Sequence, residues 1–308
     1  MILLADEIRK TDAREEALRQ LRRFTDSQEP TLKRFLYSNQ YKLENVVTYQ
    51  VIRNALLTGS INADLLKEWQ LCYSIFVSEM LMPLWDKAFQ AVARKIERKR
   101  KGFYFDPFNR SVQRWTENRA ADFVTNCSRA TQLGVRAAVR RSAYHKELGV
   151  DELAQVIRPM VGLTKPQVIA NQNYYNRLLD NGVKPKVAAE RAIKYAARQH
   201  RYRGMMIART ESAFAYNHAN YEAVHQAIAQ GYMGKTQKVW CTADDERTCG
   251  TCRDLDGQTI GLDDDFGFAT RLPKSHGIRR VPPAHPHCRC TVLYEEIQMP
   301  AKRASDLK

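Results

Sequence analysis

The stretch HPHCRC, residues 285–290, crowds His285, His287, Cys288 and Cys290 into six positions of a 308-residue chain that holds only 7 Cys and 7 His. Upstream, TCGTC sets Cys249 and Cys252 at the spacing by which two thiolates on a tight turn containing Gly250 reach one ion. Zinc wants four tetrahedral nitrogen or sulfur ligands. Cys249, Cys252, His285 and Cys288 make a candidate set for Zn2+, with Cys290 as a substitute and Cys241 as a spare. His287 is the weaker histidine, because alternation along an extended segment turns it away from Cys288. The surrounding region is short and polar, with little core of its own, so a bound ion would supply folding energy of order 10 kcal/mol.

The same residues allow other chemistry. A CxxC pair beside a βαβ unit is a redox motif, but strand and helix do not alternate here. A zinc deaminase needs H-x-E ahead of P-C-x-x-C; in this chain CxxC comes first and neither histidine has a Glu two places on. A metal-dependent, HNH-like nuclease combines Cys/His clusters with a basic surface, although no residue presents itself as general base. The cysteines can also be small buried hydrophobes.

The elements that must position these residues are mainly α-helical. Up to about Arg158, Pro and Gly are scarce. Leu65, Trp69, Cys72 and Phe76 recur at spacings of four and three, and the stripe resumes after Pro83 with Trp85, Phe89, Val92 and Ile96. Pro83 itself predicts a kink or break. A further helix is expected from about Ser111 to Lys146, ended by Gly149. Pro159, Gly162 and Pro166 set a boundary, so the chain divides into a helical region 1–158, a second region 159–298 and a tail 299–308. The second region opens with a helix stopping at DNG and a long helix from Pro185 to Gly231. It then changes to short strand-like pieces around Asp-rich turns, a loop, and a last strand in CTVLYEE. The fold class is therefore α+β: long helices, then a small β-rich unit that carries the Cys/His cluster.

Along the long helix, Ile207, Glu211, Phe214, His218, Tyr221, His225 and Ile228 share one face. Glu211 thus points at a core and needs a buried partner, for which Arg209, Arg247 and Arg289 are the candidates. Glu211, His218 and His225 are seven apart, about 10.5 Å per step along the axis, which is too far for a common ion. They form a structural polar seam tying the helix to its surroundings.

The net charge is +15, which favours polyanionic partners. Arg94, Lys95, Arg98, Lys99, Arg100 and Lys101 cluster in RKIERKRKG, and Arg129, Arg136 and Arg140 form a later stripe, all candidates for contact with nucleic-acid phosphates. Nothing resembles a helix-turn-helix, finger or RNP pattern, so sequence-specific reading is not expected. The most apolar stretch, LCYSIFVSEMLMPLW, includes Glu79 and Pro83 and falls short of a membrane span. MILLADEIRK lacks the basic start of a signal peptide. An odd number of cysteines argues against a complete disulfide framework, and a reducing host cytoplasm is the expected place of synthesis.

Three pieces in order, IARTESAFAYNHANYEAV, VWCTADDERTCGTCRDLDGQ and VPPAHPHCRCTVLY, resemble the phage head morphogenesis domain of the Mu F-like minor capsid proteins. The matching features are Arg209-Thr210-Glu211, Trp240, Asp245 to Cys249, Cys252, Asp256-Gly257, Pro283, His285 and Cys288 to Cys290; they span roughly residues 185–294. The resemblance implies a non-enzymatic virion protein in the capsid interior, near the portal protein. It would act in procapsid assembly and in packaging or ejection of double-stranded DNA, with scaffold or major capsid protein as further partners and no membrane. The alternatives are a virion-carried effector enzyme such as a metal-dependent nuclease, and a cytosolic zinc protein that binds nucleic acid. The resemblance does not decide whether the Cys/His cluster holds metal.

Overall fold

Few residues in the first half interrupt helical hydrogen bonding, and the computed structural model shows long α-helices with short connections. It describes residues 2–46, 49–58, 63–142, 150–267 and 280–297. In chain order these form α1 (Ile2–Val46), α2 (Tyr49–Thr58), α3 (Ala63–Phe76), a π-helical turn (Val77–Leu81), α4 (Met82–Lys99), α5 (Arg110–Ser142) and α6 (Val150–Ile157). A 3-10 turn (Arg158–Met160), α7 (Lys165–Asp180), α8 (Pro185–Ala229), β1 (Thr236–Cys241), α9 (Gly250–Leu255), β2 (Thr259–Gly261) and β3 (Thr291–Glu296) follow. The mainly α architecture with a small C-terminal sheet is the one expected from the sequence.

The local signals act where the sequence put them, with one difference. At Pro83 the expected interruption takes the form of a change in helical hydrogen bonding: α3 passes into the π-helical turn Val77–Leu81, and Pro83 sits in the first turn of α4. Thr164 and Gln167 form a reciprocal capping box on α7. The DNG stop works through Gly182, at φ +76°, which lets the Gly182 and Val183 amides fold back onto the Leu179 and Leu178 carbonyls. The difference lies between β1 and β2. Polar turns were expected there, but the chain forms α9. The expected extension of α5 to Lys146 and its stop at Gly149 lie outside the described residues.

The chain forms two compact units. One comprises Met1–Pro30, Leu81–Arg119 and Met206–Lys308; the other comprises Thr31–Met80 and Ala120–Met205. In the first, α4 buries Leu84, Trp85, Ala88, Phe89, Val92 and Ala93 along one stripe. Each of the larger side chains contributes about 1.5–3 kcal/mol by leaving water. Their rings meet Trp115 edge-on, at 5.4 Å from Trp85 and 5.9 Å from Phe89. The sheet has the order β2-β1-β3, antiparallel throughout, with Val239 opposite Thr259 on one side and Leu293 on the other.

The second unit packs Phe76 against Phe35 and Phe123, at 5.6 and 5.4 Å between ring centroids. Two of its buried side-chain amides donate to backbone: Asn171 to the Ala192 carbonyl at 3.2 Å and Gln172 to that of Ala138 at 3.0 Å. Gly134 is required by close approach, since a Cβ there would lie 2.4 Å from the Leu163 carbonyl oxygen.

Candidate metal centre

The Cys/His cluster lies in the first unit, between the start of α9 and the segment that leads into β3. Cys249 is the N-cap of α9, and its Sγ accepts from the Cys252 amide at 3.4 Å. One turn on, Cys252 faces inward. From the other strand of chain, His285 Nε2 stands 3.1 Å from Cys249 Sγ and 3.2 Å from Cys252 Sγ. Cys288 Sγ is 3.8 Å from Cys252 Sγ. The donors form two groups that share Cys252: Cys249, Cys252 and His285, then Cys252, Cys288 and Cys290, with the atoms of each group within 4.8 Å of one another. These groups could hold a metal ion.

The histidine tautomer follows from its neighbour. His285 Nδ1 lies 2.8 Å from the Pro286 carbonyl oxygen, which can only accept, so Nδ1 carries the proton and the Nε2 lone pair faces the sulfurs. Cys288 is held well below the usual thiol range by hydrogen bonds from Cys252 and Cys290, while Cys252, against Cys288, and Cys290, against Cys252 and Cys288, are pushed up.

Contrary to the sequence expectation, the region has a core of its own. Trp240, Leu255, Phe266, Val281 and Val292 cluster with Cys252, Cys288 and Cys290, and Trp240 meets Phe266 edge-on at 5.0 Å. Cys241 is buried at the end of β1 and belongs to neither donor group, and His287 also stands outside them. His287 takes a left-handed conformation at φ +64°, and its amide donates to Thr210 Oγ1 at 3.1 Å.

Several contacts around the centre were not legible in the sequence. Arg289 forks onto Asp245, with Nη1 to Oδ2 at 2.6 Å and a second bond from Nη2 to Oδ1. This clamps the loop before α9 to the segment carrying Cys288, and the guanidinium holds the Asp245 carboxyl well below its usual range. Asp256 accepts from the Thr242 amide at 2.9 Å and from Arg14 at 2.5 Å. Gly257, at φ +76°, donates to the Trp240 carbonyl and so closes α9 back onto β1. Asn217 of α8 donates to the Cys290 carbonyl and accepts from Thr291 Oγ1. Lys238, fully buried, donates to the Leu262 and Asp264 carbonyls at 2.7 and 2.6 Å, and burial lowers its pKa to about 8.

The Arg-Thr-Glu triplet on α8 pins three separate segments. Arg209 bonds Glu29 of α1 at 2.5 Å, Thr210 takes the His287 amide, and Glu211 pairs with Arg119 of α5. The partner of Glu211 is therefore none of the three arginines the sequence offered. Arg209 serves Glu29, Arg289 serves Asp245, and Arg247 lies at the exposed rim near Asp245 and Glu246. Farther along the seam each histidine has its own carboxylate. His218 stacks on Trp115 at 4.2 Å with Nε2 3.3 Å from Glu222, and burial lowers its pKa. His225 Nε2 is 3.0 Å from Asp263.

The basic run on α4 divides by environment. Arg94, Arg98, Lys99 and Lys101 are exposed. Lys95 turns inward and donates to Gln20 Oε1 at 2.5 Å, and Arg100 pairs with Glu296 at 2.7 Å. Arg129 and Arg136 are exposed on α5, and the side chain of Arg140 lies outside the described residues.

No helix among the described residues is long and apolar enough to cross a membrane. The family described as Phage Mu protein F like protein matches residues 135–293, just over half of the chain. That span begins within α5, ends within β3 and contains all five metal-donor candidates. No curated protein and no solved structure matches the chain.

Proposed function

This chain belongs to the Phage Mu protein F-like family and is a phage head morphogenesis protein, and from that premise we propose that it is a minor head protein seated near the portal inside the capsid. There it contributes to procapsid assembly and to genome packaging or ejection, and its exposed lysines and arginines touch the DNA backbone without reading sequence. The observation that carries this reading is the family match across α7, α8, the sheet and the Cys/His cluster. A basic chain enclosed with packaged DNA is physically consistent, since clustered positive charge suffices for phosphate contact.

In this reading the cluster is structural. Thiolate-rich sets with one imidazole are typical of structural Zn2+, and tetrahedral Zn–S bonds of about 2.3 Å imply S···S edges of ~3.8 Å and S···N edges of ~3.5 Å. The Cys252–Cys288 separation of 3.8 Å meets the first, and the two Cys–His separations of 3.1 and 3.2 Å lie a few tenths of an ångström inside the second. Cys249, Cys252 and His285 would hold the ion, and Cys288, which groups with Cys252 and Cys290, would have to close on it as the fourth ligand, with Cys290 as the neighbouring substitute. Zn2+ there would staple α9 to the segment entering β3 and do no chemistry.

Co-expression with the portal protein of the same phage tests the placement. Co-migration with portal rings on a sizing column is the expected result, and a portal-free peak for a folded chain would overturn it. Incubation with plasmid DNA and divalent metals tests the absence of catalysis: cleavage lost in a Cys252→Ser variant would favour a nuclease instead.

A further inference from the structure

A cavity of about 330 Å³ opens in the first unit between α1, α4, α8 and β3. Three cations line it, Lys95, Lys99 and Arg100, against one carboxylate, Glu296, which Arg100 already pairs at 2.7 Å. Lys95 is the unusual member. It is half-buried, yet its acceptor among the described residues is an uncharged amide, Gln20 Oε1. The same amide oxygen receives the Tyr216 hydroxyl at 3.3 Å. Glu16 on α1 acts on the Lys95 charge through space, while its own hydrogen bonds go to Gln20 Nε2 at 2.7 Å and Arg19 at 2.8 Å. A partly desolvated ammonium is ordinarily hydrogen-bonded to an anion. No carboxylate among the described residues bonds Lys95 directly, and Lys99 beside it adds a second positive charge.

The remaining wall sets apolar Ile96, Val224 and Leu293 beside polar Asn220, Thr291 and Tyr294. Positive charge on one side and apolar surface on the other suit a phosphate ester joined to a flat or compact organic group. The volume sits at the lower end for small-ligand sites, enough for a mononucleotide and far too narrow for a duplex to enter sideways.

We propose that this cavity is a nucleotide site, taking the phosphate of a mononucleotide or of a DNA 5′ end against Lys95, Lys99 and Arg100 and its nucleoside against the apolar wall. The proposal rests on the DNA-contact reading above and localises it: the exposed residues Arg94, Arg98 and Lys101 would add only general attraction, while the cavity makes the specific phosphate contact.

The test uses the full chain, with dAMP, a short blunt duplex carrying 5′ phosphates and the same duplex with 5′ hydroxyls, by calorimetry and fluorescence anisotropy. Tighter binding of the phosphorylated duplex and competition by dAMP are expected. Lys99→Glu, at an exposed position, and Lys95→Met, which keeps the apolar stem, should each weaken dAMP about tenfold or more, as loss of a charge-assisted bond implies. Their melting temperatures should match the wild type, and Glu190→Gln, at an exposed position in the other unit, should leave dAMP binding unchanged. Duplex binding that ignores both the 5′ phosphate and the two lysine variants, with no dAMP binding, would overturn the cavity site and leave general DNA contact standing. Variant-sensitive dAMP binding without duplex binding would sustain the cavity, with free nucleotide as its ligand, and overturn the DNA-contact reading. Binding of none of the three probes would overturn both.

Discussion

Replacing Arg119 with Met isolates the best-buried arginine–carboxylate pair among the described residues. The Arg119 and Glu211 side chains are 11% and 5% exposed, and they meet through two charge-assisted bonds, one of them Nε to Oε2 at 3.0 Å. Arg119 also lies 4.0 Å over the Phe214 ring. Without the guanidinium, Glu211 stays buried with its charge uncompensated, a loss of about 3–5 kcal/mol for a pair of this kind. The lost ring contact accounts for ~1 kcal/mol of that. At roughly 2–4 °C per kcal/mol, the melting temperature should fall by about 10 °C. Glu211→Met should cost a similar amount, because it strands the arginine. The double variant Arg119→Met with Glu211→Met should lose less than either single change, since two apolar side chains can fill the space without a desolvated charge. Urea unfolding of the four proteins, with unchanged m values, gives the coupling energy. A loss below about 1 kcal/mol for Arg119→Met, or strictly additive single effects, would show that the pair does not stabilise the fold in this way.

Cys249→Ser and Cys252→Ser should each lower solubility and melting temperature and abolish bound zinc by elemental analysis, with little change for Cys72→Ser; zinc-free wild type purified without chelator would count against the staple. A strong chelator should depress the wild-type melting temperature and leave that of Cys252→Ser unmoved. Asp245→Asn should weaken the clamp to Arg289. Because the folded-state pKa of Asp245 lies below its ordinary value of 3.8, the clamp's contribution is full above about pH 4 and fades as pH falls through the folded value. The stability gap between wild type and variant should therefore close in acid, and a gap independent of pH would contradict the pairing. Lys238→Met should free the turn after β2, with a loss of about 2–3 kcal/mol from hydrogen bonds to a charged donor and faster amide exchange at Gly261 and Asp264.

The basic residues of α4 show how far pattern carries. RKIERKRKG reads as one basic cluster, and as a run of charge it is one. Its members have different environments because α4 is amphipathic: Lys95 falls on the side facing Gln20 and Tyr216, while Arg94 and Arg98 face solvent. The hydrophobic stripe of Trp85, Phe89 and Val92 contained the phase that places Lys95 inward. Its partner, on a helix some seventy residues earlier, carried no local signal.

What the sequence determined by itself is what depends on neighbours within a turn or two. Helical periodicity, the stop at Gly182, the breakers after Arg158 and the crowding of soft donors into two short segments all act over a few residues, so they survive without any knowledge of the fold. The Cys/His donors were legible for the same reason: their chemistry lies in residue type and spacing. Tertiary structure decided which distant groups meet. It gave Glu211 to Arg119, Asp245 to Arg289 and Thr210 to His287, and it set Cys249 and Cys252 on the first turn of α9. It also surrounded the cluster with Trp240 and Phe266, where a polar, coreless unit was expected. A carboxylate on a buried face demands a partner, but several arginines can meet that demand, and only the packing of α5 against α8 selects one.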